Sequence, residues 1–203
     1  MVRKKIILGI VILVILAAAS VRAVYFNKNY AVVEKQYGTK FAVHIDTERI
    51  LREGYNDWDE LVKCTPSLKK LTKLEKLELV AEENMDLNNL SEMKDLNELT
   101  IFYVDEYCGR LETLPELPNL KALWLCDLKY VGHQTHFTLP DDVEYNFDSI
   151  ETLVILGNQY FDIDCLKHFK NLKTLDIDTP NLKLNDEEIA ELQEKGINVK
   201  FSY

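Results

Sequence analysis

Glycine and proline are scarce in this 203-residue chain, at 7 and 5 residues, which argues against long disordered linkers. Cysteine is scarcer still, with four residues at 64, 108, 126 and 165. No two of them stand two to four residues apart, so the usual zinc spacing is missing. In an exported domain four cysteines allow three pairings, and buried thiols are the equal alternative. The chain has no Gly-rich phosphate loop, no nucleophile elbow and no His-Glu-x-x-His run. No cofactor is expected, and no catalytic residue is assigned.

Basic charge is also short. Lys and Arg number 24 against 34 Asp and Glu, for a net charge of -10. Residues 1–23 hold Arg3, Lys4, Lys5 and Arg22 and no acid, which leaves -14 for residues 24–203. A body this acidic repels phosphate backbones, so no nucleic-acid partner is expected. The excess of acids serves solubility and is compatible with a basic partner. The charged fraction of 29% excludes a mostly membrane-embedded protein, and 47% hydrophobic residues provide for a sizeable core.

The apolar residues are arranged in two ways. The first is an uncharged run from Ile6 to Ala19, preceded by the basic cluster at 3–5. With Arg22 snorkelling and Tyr25 and Phe26 at an interface, residues 6–26 are expected to form an N-terminal transmembrane helix with the N-terminus inside. That reading localises the chain to the cell membrane, single-pass, with its body outside. The alternative is a cleaved signal peptide and a secreted product, since Ala17-Ala18-Ala19 and Val21-Arg22-Ala23 both fit a small-x-small cleavage site.

The second arrangement is a repeat. Leucines three residues apart lead into a Leu-x-Leu pair, first at Leu68, Leu71, Leu74, Leu77 and Leu79. The first member of each pair falls at 77, 99, 123, 153 and 175, in steps of 22, 24, 30 and 22. Ile197 and Val199 offer a further step of 22. In Leu-x-Leu the two leucines share one strand face, and leucines at every third position suit a 3₁₀ turn on the return path. One such unit cannot bury its own leucines, whereas stacked units form a continuous core.

The segments Leu-Pro-Glu-Leu-Pro-Asn-Leu-Lys-Ala-Leu-Trp-Leu at 114–125 and Cys-Leu-Lys-His-Phe-Lys-Asn-Leu-Lys-Thr-Leu-Asp-Ile at 165–177 resemble the leucine-rich repeat family. The resemblance covers roughly residues 61–201. It implies an α/β solenoid with a curved parallel sheet on the concave side and short turns on the convex side. It departs from the family three residues after each strand, where Glu82, Val104, Leu128, Asn158 and Pro180 stand instead of a run of Asn or Cys. The 30-residue step implies an insertion around Lys129 to Asp148.

The expected organisation is a targeting segment at 1–26, a juxtamembrane stretch and N-terminal cap at 27–60, and repeats with a C-terminal cap at 61–203. In the first cap, Phe41 to Ile45 is expected as a strand and Thr47 to Glu53 as a helix, with Trp58 and Leu61 closing the core. In the second, Asn185 caps a helix that Gly196 stops, followed by an edge strand from Ile197 to Phe201.

The concave face is expected to expose the residues flanking each buried pair. Those are Glu78, Thr100, Trp124, Val154, Asp176 and Asn198 within the pairs, and Val80, Phe102, Cys126, Leu156, Asp178 and Lys200 just after them; the candidate patch is Phe102, Trp124, Cys126, Val154 and Leu156, followed by Asp176 and Asp178. The pattern is an apolar, aromatic-anchored patch with an acidic rim, of the kind that binds a protein partner. No small-molecule substrate is expected. A glycan-acting enzyme using a carboxylate pair (Asp162 with Asp164, or Asp176 with Asp178) is the minor alternative. His133 and His136 have a metal-like spacing without a third ligand, and no metal is expected. Cys165 and His168 are three apart with nothing to orient them.

Overall fold

The computed structural model describes residues 2–51, 61–82, 85–103, 111–127, 136–137, 139–157, 160–178 and 184–202, excluding the side chains of 2–14, 136–137 and 160–161. Its centre is one parallel sheet. The strands are β5 (Lys76–Val80), β6 (Glu98–Tyr103), β7 (Ala122–Asp127), β9 (Thr152–Leu156), β11 (Thr174–Asp178) and β12 (Asn198–Phe201), hydrogen-bonded in that order. Leu77, Leu99, Leu123, Leu153, Leu175 and Val199 lie side by side across it. So do Leu79, Ile101, Leu125, Ile155, Ile177 and Phe201. This is the leucine-rich-repeat-like parallel solenoid that the spacing predicts.

The return paths explain the threefold spacing. In these turns the N–H of an apolar residue recurrently donates to the carbonyl of the apolar residue three positions before it. Leu71 donates to Leu68, Met93 to Leu90, Leu114 to Leu111, Leu120 to Leu117 and Phe169 to Leu166. A run of such turns needs an inward residue at every third place. Leu68, Leu71, Leu74, Leu87, Leu90, Met93, Leu96 and Leu120 are accordingly sealed from solvent.

Strand entry is fixed by another recurrent feature. The carbonyls of Glu48, Glu75, Asn97, Lys121 and Glu151 each accept two consecutive N–H groups from the following repeat. Asparagines add to this on the return path, not after the strands. Asn119 Nδ2 donates to the Lys94 carbonyl, Asn146 Nδ2 to Leu114 and Asn171 Nδ2 to Asp148, at 2.7–2.8 Å. Of the five positions where the family places its ladder, only Glu82 lies within the described residues, and it pairs with Lys63 at 2.7 Å.

Both ends are capped. At the N-terminus β1 (Tyr30–Glu34) and β2 (Lys40–His44) form an antiparallel hairpin. Ala31, Val33 and Val43 join the main core, and β1 packs on the turn at Pro66–Lys70. The helix expected at Thr47 to Glu53 is not formed in its described part. Arg49–Ile50 is a short strand, β3, beside β5, and Val62–Lys63, β4, continues along the same edge. Ile50 and Val62 thus supply the outermost inward pair, a sheet contact that a lone helix there would forfeit. Trp58 lies outside the described residues. Leu61 is buried, but on the opposite face from the main core.

At the C-terminus α2 (Asp186–Glu194) carries a capping box. Asn185 Oδ1 accepts from the Glu188 N–H at 2.9 Å, and Glu188 Oε2 accepts from the Asn185 N–H at 2.7 Å. Gly196, at φ +79°, ends the helix as expected. The last strand is shifted from its expected pairing. Val199 stands beside Leu175 and Phe201 beside Ile177, so the final step is 24 residues and not 22. Ile197 donates its N–H to the Leu192 carbonyl and packs under the helix instead. Within the 129–148 insertion, β8 (His136–Phe137) pairs in parallel with β10 (Tyr160–Phe161).

The N-terminal segment forms a helix, α1 (Val2–Asn29). Among the described residues no helix is long and apolar enough to cross a membrane, which overturns the expected transmembrane helix. The physical reason is length. The uncharged stretch from Ile6 to Val21 rises about 24 Å at ~1.5 Å per residue, short of a hydrocarbon core of about 30 Å, and Arg22 ends it. The membrane contact expected through residues 6–26 loses its basis with it.

Candidate functional site

Successive residues of a strand point to opposite faces, so each core leucine fixes what its neighbours present on the other side. The register assembles two rows there. One runs Glu78, Thr100, Trp124, Val154, Asp176, Lys200, and the other Val80, Phe102, Cys126, Leu156, Asp178. All seven expected site residues stand in these rows, so the fold does bring them together.

Their exposure differs from expectation. Phe102, Cys126 and Val154 are only 3, 4 and 3% exposed. Leu61, Val80, Phe102 and Cys126 form a second buried cluster, against which Trp124 and Leu156 pack while half-buried. Leu61, just before β4, closes this end of the face. Asp176 and Asp178 remain half-buried, and Asn198 and Lys200 are exposed. The face is therefore closed around Val80, Phe102, Cys126 and Val154, and partly open at Glu78 and from Trp124 and Leu156 to Asp176 and Asp178.

Two details define its chemistry. The Trp124 indole Nε1–H is buried with no acceptor among the described residues. A buried donor left in that state costs about 1–3 kcal/mol. Asp176 Oδ1 accepts from the Ser202 hydroxyl at 2.7 Å, so the chain beyond β12 braces the acidic rim. Ser202 was not legible as part of the face, and Lys200 stands beside Asp176 and not Asp178, because the last strand was read two residues out of register. The alternative pair Val199 and Phe201 was the available signal.

The other candidates disperse. Asp162 caps the turn at Ile163–His168 by accepting from the Asp164 N–H at 3.0 Å. The Cys165 thiol donates to the Asp162 carbonyl at 2.7 Å, while the His168 ring meets Tyr145 edge-on at 4.8 Å. His133, Cys108 and the His136 side chain lie outside the described residues. Among the described residues no three His, Cys, Asp or Glu are placed to hold a metal ion. The Cys64 thiol donates to the Asp86 carbonyl at 3.3 Å, and burial, helped by the charge of Asp86, pushes its pKa to about 12. Such a thiol is no nucleophile at neutral pH.

Charge on the strand entries is organised across repeats. Glu151 lies between Lys173 at 2.6 Å and Lys121 at 2.9 Å, and hydrogen bonds from the two ammonium groups hold its pKa at about 2. Lys76 and Glu98 pair at 2.7 Å one position into β5 and β6.

No family model matches the chain, and no curated protein matches it in sequence. Among solved structures it is similar to an internalin C2 from Listeria monocytogenes str. 4b F2365. That likeness has 16% identity and a TM-score of 0.35, covering 79% of this chain and 85% of that one. A likeness at that level does not identify a fold, and the repeat architecture rests on the strand register itself.

Proposed function

We propose that this protein is a non-enzymatic interaction module, exported from the cytoplasm, that binds a protein partner through the C-terminal half of the face opposite its core. The observation that carries the reading is the juxtaposition of half-buried Trp124 and Leu156 with Asp176 and Asp178 on adjacent, in-register strands. An apolar centre with an aromatic anchor and a charged rim is the usual anatomy of a binding patch. The two carboxylates favour basic groups around it. The basic cluster and apolar run at residues 3–19 support export.

The test is cross-linking in intact cells with tagged full-length protein, compared with an Asp176→Lys/Asp178→Lys variant. Circular dichroism and thermal unfolding establish that the variant is folded. A partner cross-linked by the parent and reduced at least tenfold in the variant supports the site. Equal capture by both excludes this half of the face.

A further inference from the structure

We infer that the outer edge of β12 takes an extended segment of a partner protein, added as a further parallel strand that sets an acidic residue beside Lys200 and an apolar residue beside Val199. The inference rests on the backbone of β12 and not on the proposed outer-face patch.

The sheet is joined by one rule. The residue just before each strand offers its carbonyl to the next repeat, as Glu48, Glu75, Asn97, Lys121 and Glu151 do. Lys173, just before β11, likewise accepts the Asn198 N–H at 2.8 Å. Ile197, just before β12, is the next member of this series, because Thr174 stands beside Asn198. Its N–H donates to the Leu192 carbonyl, and its own carbonyl receives no donor among the described residues.

β12 is the end of the sheet order. In a parallel ladder alternate residues bond to one side and those between them to the other. Asn198 donates to Lys173 and Ser202 to Ile177, so the N–H and C=O of Val199 turn away from β11. Neither has a backbone partner among the described residues. The Ile197 carbonyl, the Val199 N–H and the Val199 carbonyl thus repeat the arrangement by which each earlier strand receives its successor. Such an edge is a template for an added strand.

The paired side of β12 shows what kind of strand fits. Leu175, Asp176 and Ile177 stand beside Val199, Lys200 and Phe201. Apolar residues meet on the core side, and an acid lies beside Lys200 on the outer side. Asp176 Oδ1 is engaged by the Ser202 hydroxyl, and the Lys200 side chain is exposed. An acid on the added strand meets that ammonium from the open side, a favourable cross-strand pair.

A second copy of the chain fits less well. Pairing β12 with β12 brings together two copies of α2, which packs on this strand and holds Asp186, Glu187, Glu188, Glu191 and Glu194 without a base. An extended segment carries no such helix. Its acid lies on the outer face, with the sheet between it and α2, whose Leu192 is part of the core.

The experiment measures fluorescence anisotropy of a labelled synthetic peptide, Leu-Lys-Thr-Leu-Asp-Ile-Asp-Thr, on titration with the full chain at physiological salt. This is the sequence of residues 172–179, the neighbour that β12 already accepts. A second peptide has both Asp replaced by Lys. Val199→Pro removes the outward N–H and leaves the Asn198 and Ser202 bonds to β11 in place, and proline is tolerated on edge strands. Lys200→Glu reverses the charge. Circular dichroism and thermal unfolding establish that each variant is folded. The expected result is saturable binding of the acidic peptide, weakened about tenfold or more by Val199→Pro and by Lys200→Glu, with Lys200→Glu gaining affinity for the lysine peptide. Undiminished binding to Val199→Pro, no gain from the charge exchange, or no saturation at millimolar concentration overturns the inference. Should Val199→Pro fail to fold, the charge exchange decides alone. A parent that sediments as a dimer beside a monomeric Val199→Pro assigns the edge to a second copy and also overturns it. No variant alters Trp124, Leu156, Asp176 or Asp178, so the outer-face patch stands or falls on its own cross-linking test.

Discussion

At the N-terminal end of the sheet, the face away from the core is itself buried. Val80, Phe102 and Cys126 pack there with Leu61 from the cap segment. Four and five strands on from Val80, the equivalent rows hold Asp176 and Asp178, then Lys200, partly or fully open to solvent. The core face shows no such change, with leucine or isoleucine closed off from Leu77 to Ile177. The strand alternation is the same throughout. What differs is what each end of the sheet meets on its outer side, so one face specifies the fold and the other is free to vary along its length.

The largest expected effect tests the uniformity of the core. Leu99→Ala and Leu175→Ala should each lose about 3–5 kcal/mol, measured by urea denaturation, because both side chains are fully enclosed. A loss at Leu175 much smaller than at Leu99 would show that the C-terminal repeats are loosely packed. A smaller effect separates the two ends of the outer face. Phe102→Ala should cost about 2–3 kcal/mol, since its half-buried neighbours Trp124 and Leu156 have room to close the gap. Asp178→Ala should stay within about 0.5 kcal/mol. Equal costs at the two positions would remove the distinction between a sealed and an open end.

The smallest effect concerns pH. Glu151 is held at about 2 by Lys173 and Lys121, below its ordinary value of 4.5. A carboxylate whose folded pKa is lowered stabilises the fold above its unfolded pKa and loses that contribution as acid protonates it. Melting temperature should therefore fall between about pH 4.5 and pH 2 in the parent. Glu151→Gln should show a shallower fall, with a parent–variant difference of at most a few degrees because the pair is exposed to water. Parallel pH profiles would mean that the Lys–Glu–Lys ladder contributes nothing.

The periodic parts of the molecule were legible in the sequence because burial repeats there. Leucines at every third place and the Leu-x-Leu pairs define the turns and the strands, and four of the five step lengths hold in the register. The edges were less legible. Two overlapping alternations fit the last strand, Ile197 with Val199 or Val199 with Phe201, and only pairing with Leu175 and Ile177 decides between them. The hairpin at 30–44 was seen as one strand because its partner, Tyr30–Glu34, adjoins an apolar run that dominates the local pattern. The seven residues expected at the site do stand on the face opposite the core. Their exposure was not readable, since strand alternation says which way a side chain points and nothing about what lies over it.

The paired N–H groups at each strand entry bear on how such a chain tolerates change in length. The step from Leu123 to Leu153 is eight residues longer than its 22-residue neighbour, yet Glu151 and Thr152 donate to the Lys121 carbonyl just as Lys173 and Thr174 donate to Glu151. Each clamp re-establishes strand alignment locally, whatever the chain has done since the previous one. Extra residues accumulate in the connection and do not carry forward as an offset. Insertion, deletion or duplication between clamps is thereby an inexpensive move for this sequence, and the outer surface can diversify while the pitch of the sheet stays constant.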